Sequence, residues 1–312
     1  MHRSPHSSPV TQAARRCRPA VVLLALAVFA GWPAMAQAGD REQWLGAIAE
    51  SPFAEPIAVI STLTEDLVEG AVHARLPYPF AQVAADLEEL PVWCEITFLH
   101  LNIKSCVYRE EAGPADGSLT LYAGRKTYQD PQDAEMIDLA RRVAWTDEDR
   151  LLIELEGDRG PYGTRDYSIV VHVVPHNDET LVNFEFSLRF GAFARFASRI
   201  YLATAGRDRV GFTVVDYDND EPEFIRGLEG MIERNVMRFY LALEAWLDTR
   251  ERPEQEQPMA RLERWFELTD AFPRQLRELE RETYLEQKLR EYANQQELQQ
   301  GPPPDRRILP LD

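Results

Sequence analysis

The sequence predicts an α+β fold: a curved antiparallel sheet wrapped around a long C-terminal helix, plus a C-terminal helical tail. Two observations carry this. Successive segments between residues 117 and 191 alternate apolar and polar residues, with short turns between them. That is the pattern of an antiparallel sheet with one covered face. Further on, residues 220–249 carry an apolar stripe at three- and four-residue steps, the pattern of a helix that covers such a sheet.

The strands follow in order. Residues 66–76 read as an extended strand leading into "LPYPF". In "GSLTLYAGRKTYQ" (117–129), Leu119, Leu121 and Ala123 share one side. "DRLLIELEG" (149–157) groups Leu151, Ile153 and Leu155, and "TRDYSIVVHVVP" (164–175) groups Tyr167, Ile169, Val171 and Val173. "ETLVNFEFSLRFG" (179–191) is the cleanest case, with Val182, Phe184, Phe186, Leu188 and Phe190 facing one way. "HNDE" (176–179) is a tight hairpin connection. "RVGFTVVD" returns to strand before the long helix.

The helices have their own signals. Residues 40–50 form a short helix that Asp40 caps, with Trp44, Leu45 and Ile48 on one face. "PFAQVAADLEEL" is a second helix, buried through Phe80, Val83, Ala84 and Leu87 and stopped by Pro91. Thr97–Val107 reads as irregular or extended chain. In residues 220–249, Asp220 with Glu223 makes a capping-box pattern, and Phe224, Leu228, Met231, Phe239, Ala242 and Trp246 make the stripe. At ~1.5 Å per residue such a helix is roughly 40 Å long, enough to cross a curved sheet.

The N-terminus predicts export. Arg15, Arg16 and Arg18 precede the apolar run 20–32, and "PAMAQAGD" offers small residues at cleavage spacing. Residues 1–38 thus read as a signal peptide cut after Ala38 or Ala36. The apolar run is short for a membrane span. Cleavage removes four arginines and no acid, taking the formal charge from −18 to −22. An acidic chain repels phosphate backbones and anionic lipid, which excludes nucleic-acid binding and leaves at most transient membrane contact. The expected location is periplasmic or secreted.

Two cysteines remain after cleavage, Cys94 and Cys106. In an oxidising compartment they are expected to form one disulfide; two free thiols, or a metal site with His100, are the other readings. Residues 39–60 read as an N-terminal helix and linker, and 61–249 as the main domain. Residues 250–312 read as a charged helical tail set off by "RERPEQEQP" and interrupted by Pro273. That tail is expected to be dispensable for folding.

The order of elements resembles the helix-grip arrangement of the START-like superfamily, which includes polyketide cyclases and lipid-transfer domains. The resemblance covers about residues 61–249 and rests on "GAVHARLPYPFAQVAADL", the alternating strands and "GLEGMIERNVMRFYLALEAWL". It implies a hydrophobic cavity between sheet and long helix that binds a hydrophobic or lipid-like ligand. Phe184, Phe186, Met231, Asn235 and Phe239 would contribute to it, with Phe196 from segment 192–205 as a cover flanked by Arg195 and Arg199. No catalytic motif of the family maps onto the chain, and no cofactor is implied. An enzyme on the same fold, cyclase-like or hydrolase-like, and a non-catalytic envelope assembly or maintenance factor are the alternative functions.

Several polar residues are further candidates. Asn235 lies on the helix stripe and needs a partner: the sheet, a water or a ligand head group. Arg125 shares the parity of Leu119 and Leu121, so it either meets an anionic ligand group or reaches solvent from the strand end. His100, Asn102 and Lys104 alternate and read as a partly exposed polar edge. His172 and His176 are four apart on extended chain, and "DYDNDE" (216–221) lacks the glycine and glutamate of a calcium loop. Neither predicts a metal site.

Overall fold

The structure, a computed structural model, describes residues 32–110, 117–192 and 208–301. The chain divides into two units, residues 1–40 and 41–312. Of the first, the described residues are helical, within helix α1 (Trp32–Ala49). This helix begins before the expected start at Asp40, which therefore lies inside it instead of capping it. The expected leader up to Gly31 lies outside the described residues. Among the described residues, no helix is long and apolar enough to cross a membrane.

The second unit is built on one antiparallel sheet. Its strands are β1 (Ile57–Leu63), β2 (Leu67–Leu76), β3 (Ile103–Glu110), β4 (Gly117–Ala123), β5 (Glu135–Thr146), β6 (Leu151–Arg159), β7 (Thr164–His176) and β8 (Glu179–Phe190), in spatial order β1-β2-β8-β7-β6-β5-β4-β3. The β7–β8 hairpin turns at Asn177–Asp178, with Asn177 at φ 57°, the left-handed conformation that asparagine tolerates in tight turns. The long helix α4 (Gly227–Thr249) lies across the concave face, so the expected α+β helix-grip architecture is present. Gly70 of β2 lets it come close: a Cβ there would meet Ile232 and Val236 at 3.2 Å.

Several elements differ from the sequence reading. Strand β1 occupies what was read as linker, so the sheet begins at Ile57. Strand β5 was not expected. Its inward parity runs Ile137, Leu139, Arg141, and the arginine breaks the apolar alternation. Arg141 is nonetheless buried, donating to the carbonyls of Leu87 and Glu88 at the end of α2 (Phe80–Glu88), where a cation also meets the negative helix end. Helix α2 ends just ahead of Pro91, as expected, but Pro91 also sits in the first turn of a further helix, α3 (Leu90–Phe98), where a missing N–H costs nothing.

The long helix starts later than expected. Glu221–Phe224 pairs with Val214–Asp218 as a two-stranded hairpin, β10 with β9, turning at Asn219 and Asp220 with φ 51° and 68°. Asp220 therefore shapes a turn and does not cap the helix. Glu233, fully buried in α4, instead ties the incoming chain down. Its carboxylate accepts from the N–H groups of Phe212 and Thr213 and the hydroxyls of Ser61 and Thr213.

The C-terminal segment is packed into the same unit, contrary to the expectation of a separable tail. Helices α5 (Gln257–Asp270), α6 (Pro273–Leu276) and α7 (Arg281–Gln300) follow α4. Trp265 and Tyr284 stack at 4.9 Å between ring centres, and both are buried in the main core. Tyr284 donates to the Leu99 carbonyl at 2.9 Å. Among the described residues, Trp44 of α1 covers part of the outer sheet face, packing with Val174 and Leu181 and backed by Leu45 and Ile48.

Candidate functional site

Between sheet and long helix lies a cavity of about 170 Å³. Its apolar wall comes from inward positions of consecutive strands: Leu121 on β4, Ile137 and Leu139 on β5, Ile169 on β7, Phe186 and Leu188 on β8. Period-two alternation places these side chains on one face, and register pairs Leu121 with Ile137 and Ile169 with Phe186. The helix contributes Asn235 and Phe239, four residues apart and so on one face. The connection between α3 and β3 contributes His100, Asn102 and Ile103.

Aromatic rings link these walls. His100 stacks on Phe239 at 4.6 Å, Phe239 meets Phe186 edge-on at 5.7 Å, and Phe186 lies 6.2 Å from Tyr167. The Tyr167 hydroxyl shares a 2.6 Å hydrogen bond with that of Thr164, and burial raises its pKa. It enters the site as a neutral phenol.

His100 is 3% exposed. Its Nδ1 accepts the backbone N–H of Asn102 at 3.2 Å, which assigns the ring proton to Nε2. Nε2 is buried without a hydrogen-bond partner. Burial holds the His100 pKa well below its usual value, and the charges of Arg238, Lys288 and Lys104 add to this. A hydrogen-bond interaction with the Asn235 side chain, longer than a normal hydrogen bond, favours the charged ring but does not offset these effects.

The cations behind His100 belong to two ion clusters. Lys104, Lys288 and Glu291 are fully buried, with Lys104 Nζ 2.9 Å and Lys288 Nζ 3.0 Å from the Glu291 carboxylate. Lys104 also donates to the carbonyls of Leu101 and Thr127, and Lys288 to that of Ile103. Glu278 gathers Lys126, Arg209 and Arg238. Burial lowers the Lys288 pKa to about 8. None of these charged side chains lines the cavity.

The sequence-predicted residues divide accordingly. Phe186, Asn235 and Phe239 line the cavity. Phe184 is buried in the core beside it, and Met231 packs half-buried against that core. Arg125 is exposed, because β4 ends at Ala123 and strand parity no longer holds two residues later. Phe196, with segment 193–207, lies outside the described residues. The polar edge expected at His100, Asn102 and Lys104 is interior: two residues face the cavity and the third is in an ion pair. Cys94 of α3 and Cys106 of β3 form the expected disulfide, pinning the two elements whose connection carries His100.

No family model matches the sequence, and no curated protein matches it. Among solved structures the chain is similar to TTHA0849 from Thermus thermophilus, at 14% identity and a TM-score of 0.36, covering 59% of this chain and 99% of that one. It is similar to a point mutant of norcoclaurine synthase from Thalictrum flavum in complex with a transition-state analogue, at 10% and 0.33, covering 47% and 90%. A third is Ara h 8.0201, at 10% and 0.32, covering 58% and 97%.

Proposed function

We propose that this chain binds a small hydrophobic molecule in the cavity between sheet and long helix. The observation that carries the reading is a largely apolar-walled pocket of about 170 Å³ between the sheet and the long helix, beside the packed core. Protein interiors leave few such voids. The pocket's size is close to that of an engineered cavity of about 150 Å³ that takes benzene. A single ring or the end of an acyl chain fits, so a lipid-like ligand would insert only its apolar end.

The leader-like N-terminus and the START-like order of elements extend this reading to an exported binding protein or carrier in the periplasm or outside the cell. The excess of acid argues for ligand transfer without stable membrane attachment. A catalytic reading on the same fold needs a base facing the cavity. His100 does not supply one, because Nδ1 already accepts a hydrogen bond and Nε2 carries the proton.

The test is calorimetric titration of the protein with toluene and indole, in wild type and in Ile169→Phe. Saturable binding that disappears in a variant of unchanged melting temperature supports the reading. Absence of saturable binding to any ring-sized apolar probe removes it. Export is tested separately by N-terminal sequencing of fractionated material, which should begin at Gln37 or Gly39; an intact N-terminus in the cytoplasm removes that part.

A further inference from the structure

A buried donor at the wall of an apolar cavity carries information about what the cavity takes. His100 is held on two sides, by its stack on Phe239 and by the Asn102 N–H at Nδ1. The remaining ring atom, Nε2–H, has no partner at normal hydrogen-bond distance; the Asn235 carboxamide acts on the ring only from longer range, although the residue is almost wholly buried and lines the cavity. Buried polar groups are nearly always paired, and orphaned donors in native structures often mark a place for something else. We propose that the cavity selects a ring-sized apolar ligand bearing one carbonyl oxygen, which receives the hydrogen bond of His100 Nε2–H beside the Asn235 carboxamide. This rests on the reading that the cavity is a ligand site, and adds the ligand's chemical class.

Other polar ligands fit less well. A donor group opposite Nε2–H would clash donor to donor. A cation would meet the like charges of Arg238, Lys288 and Lys104, which already disfavour a charged His100. A full anion would shed its hydration without a direct ion pair in return, because no charged side chain lines the cavity. A neutral acceptor on an apolar body satisfies the donor and leaves the rest of the wall in apolar contact.

The test compares acetophenone with α-methylstyrene, which replaces C=O by C=CH2 in nearly the same shape. The ketone is expected to bind wild-type protein at least about tenfold more tightly, since only it relieves a buried unpaired donor. The Nε2 proton of His100, followed by 1H–15N NMR, should move downfield with the ketone and not with the hydrocarbon. In His100→Phe the preference should vanish while α-methylstyrene still binds. Equal affinities in wild type with no Nε2 shift overturn the acceptor inference and leave the cavity reading standing. Failure of both compounds to saturate removes the cavity reading and this inference with it. The wild-type NMR shift decides the matter even if the variant does not fold.

Discussion

The backbone N–H of Cys106 donates to Oε1 of Gln295 at 2.7 Å, across 189 residues of sequence. Two strand residues on, the N–H of Tyr108 donates to Gln299 Oε1 at 3.0 Å, and Gln299 Nε2 donates back to the Tyr108 carbonyl. The spacing is geometric. Two residues of strand advance about 6.6 Å and four residues of helix about 6 Å, so glutamines one turn apart on α7 meet alternate groups of β3. Strand β3 is an edge of the sheet, and an open edge invites pairing with other chains. The C-terminal helix protects it.

A chain ending at Thr249 should therefore be less stable and should aggregate, the reverse of the expectation from composition. It loses the glutamine contacts, Tyr284 against Leu99, and the Glu291 partner of buried Lys104. The point variant Gln295→Leu isolates one contact. It leaves the buried Cys106 N–H without an acceptor, at a cost of about 1–3 kcal/mol. Urea denaturation and light scattering check both; a soluble truncated chain with wild-type stability would contradict the edge account.

Lys288 gives a pH signature. Burial, with the charge of Lys104 adding to it, lowers its pKa from 10.5 to about 8 despite Glu291. Between those values the unfolded chain holds the proton more tightly, so this residue's contribution to stability rises with pH from about 8 to 10.5. Below pH 8 the burden of the buried charge is present in full. The stability difference between wild type and Lys288→Met should shift in favour of wild type from about pH 8 to about pH 10. A pH-independent difference across that window would sink the assignment.

The disulfide makes two separable predictions. Closing a loop with a separation of 12 residues contributes about 3 kcal/mol in the chain-entropy account. Cys94→Ala with Cys106→Ala should lower the melting temperature of non-reduced protein accordingly. Because the bridge joins α3 to β3 on either side of His100 and Asn102, the variant should also bind apolar probes more weakly at temperatures where it remains folded. Unchanged probe affinity would make the bridge a matter of stability alone.

What the sequence disclosed follows the range of each physical signal. Period-two alternation is local, so β7, β8 and the inward set from Val182 to Phe190 were legible, as were Phe186 and Phe239 at the cavity. Asn235 stood out as a polar residue on an apolar stripe. The missed features have distant partners. Arg141 interrupts the alternation of β5 because it serves the end of α2, more than fifty residues earlier. Lys104 looks like a surface lysine until Glu291 arrives 187 residues later. His100 and Asn102 reach the cavity through α3, which is hidden because Pro91 both marks the end of α2 and sits in the first turn of the next helix. The glutamine spacing on α7 has no apolar periodicity, so it read as a charged tail although its Gln287, Lys288, Glu291 and Gln295 are buried.

Trp44 provides the last prediction. It stacks on His73 at 5.9 Å and meets His172 edge-on at 5.1 Å, on the outer face of the sheet. His73 is 3% exposed, and burial lowers its pKa although Asn183 favours the charged form. Its share of stability is therefore present above the unfolded value of 6.5 and is lost as pH falls below it. Removing the indole should undo the burial. Trp44→Ala is expected to cost about 3 kcal/mol, the lower end for tryptophan truncation because the Val174–Leu181 cluster is small. In the same variant the His73 pKa should rise toward 6.5, read from its imidazole Cε1–H resonance across a pH titration. A destabilised variant in which His73 titrates as in wild type would show that something other than Trp44 excludes water from this ring.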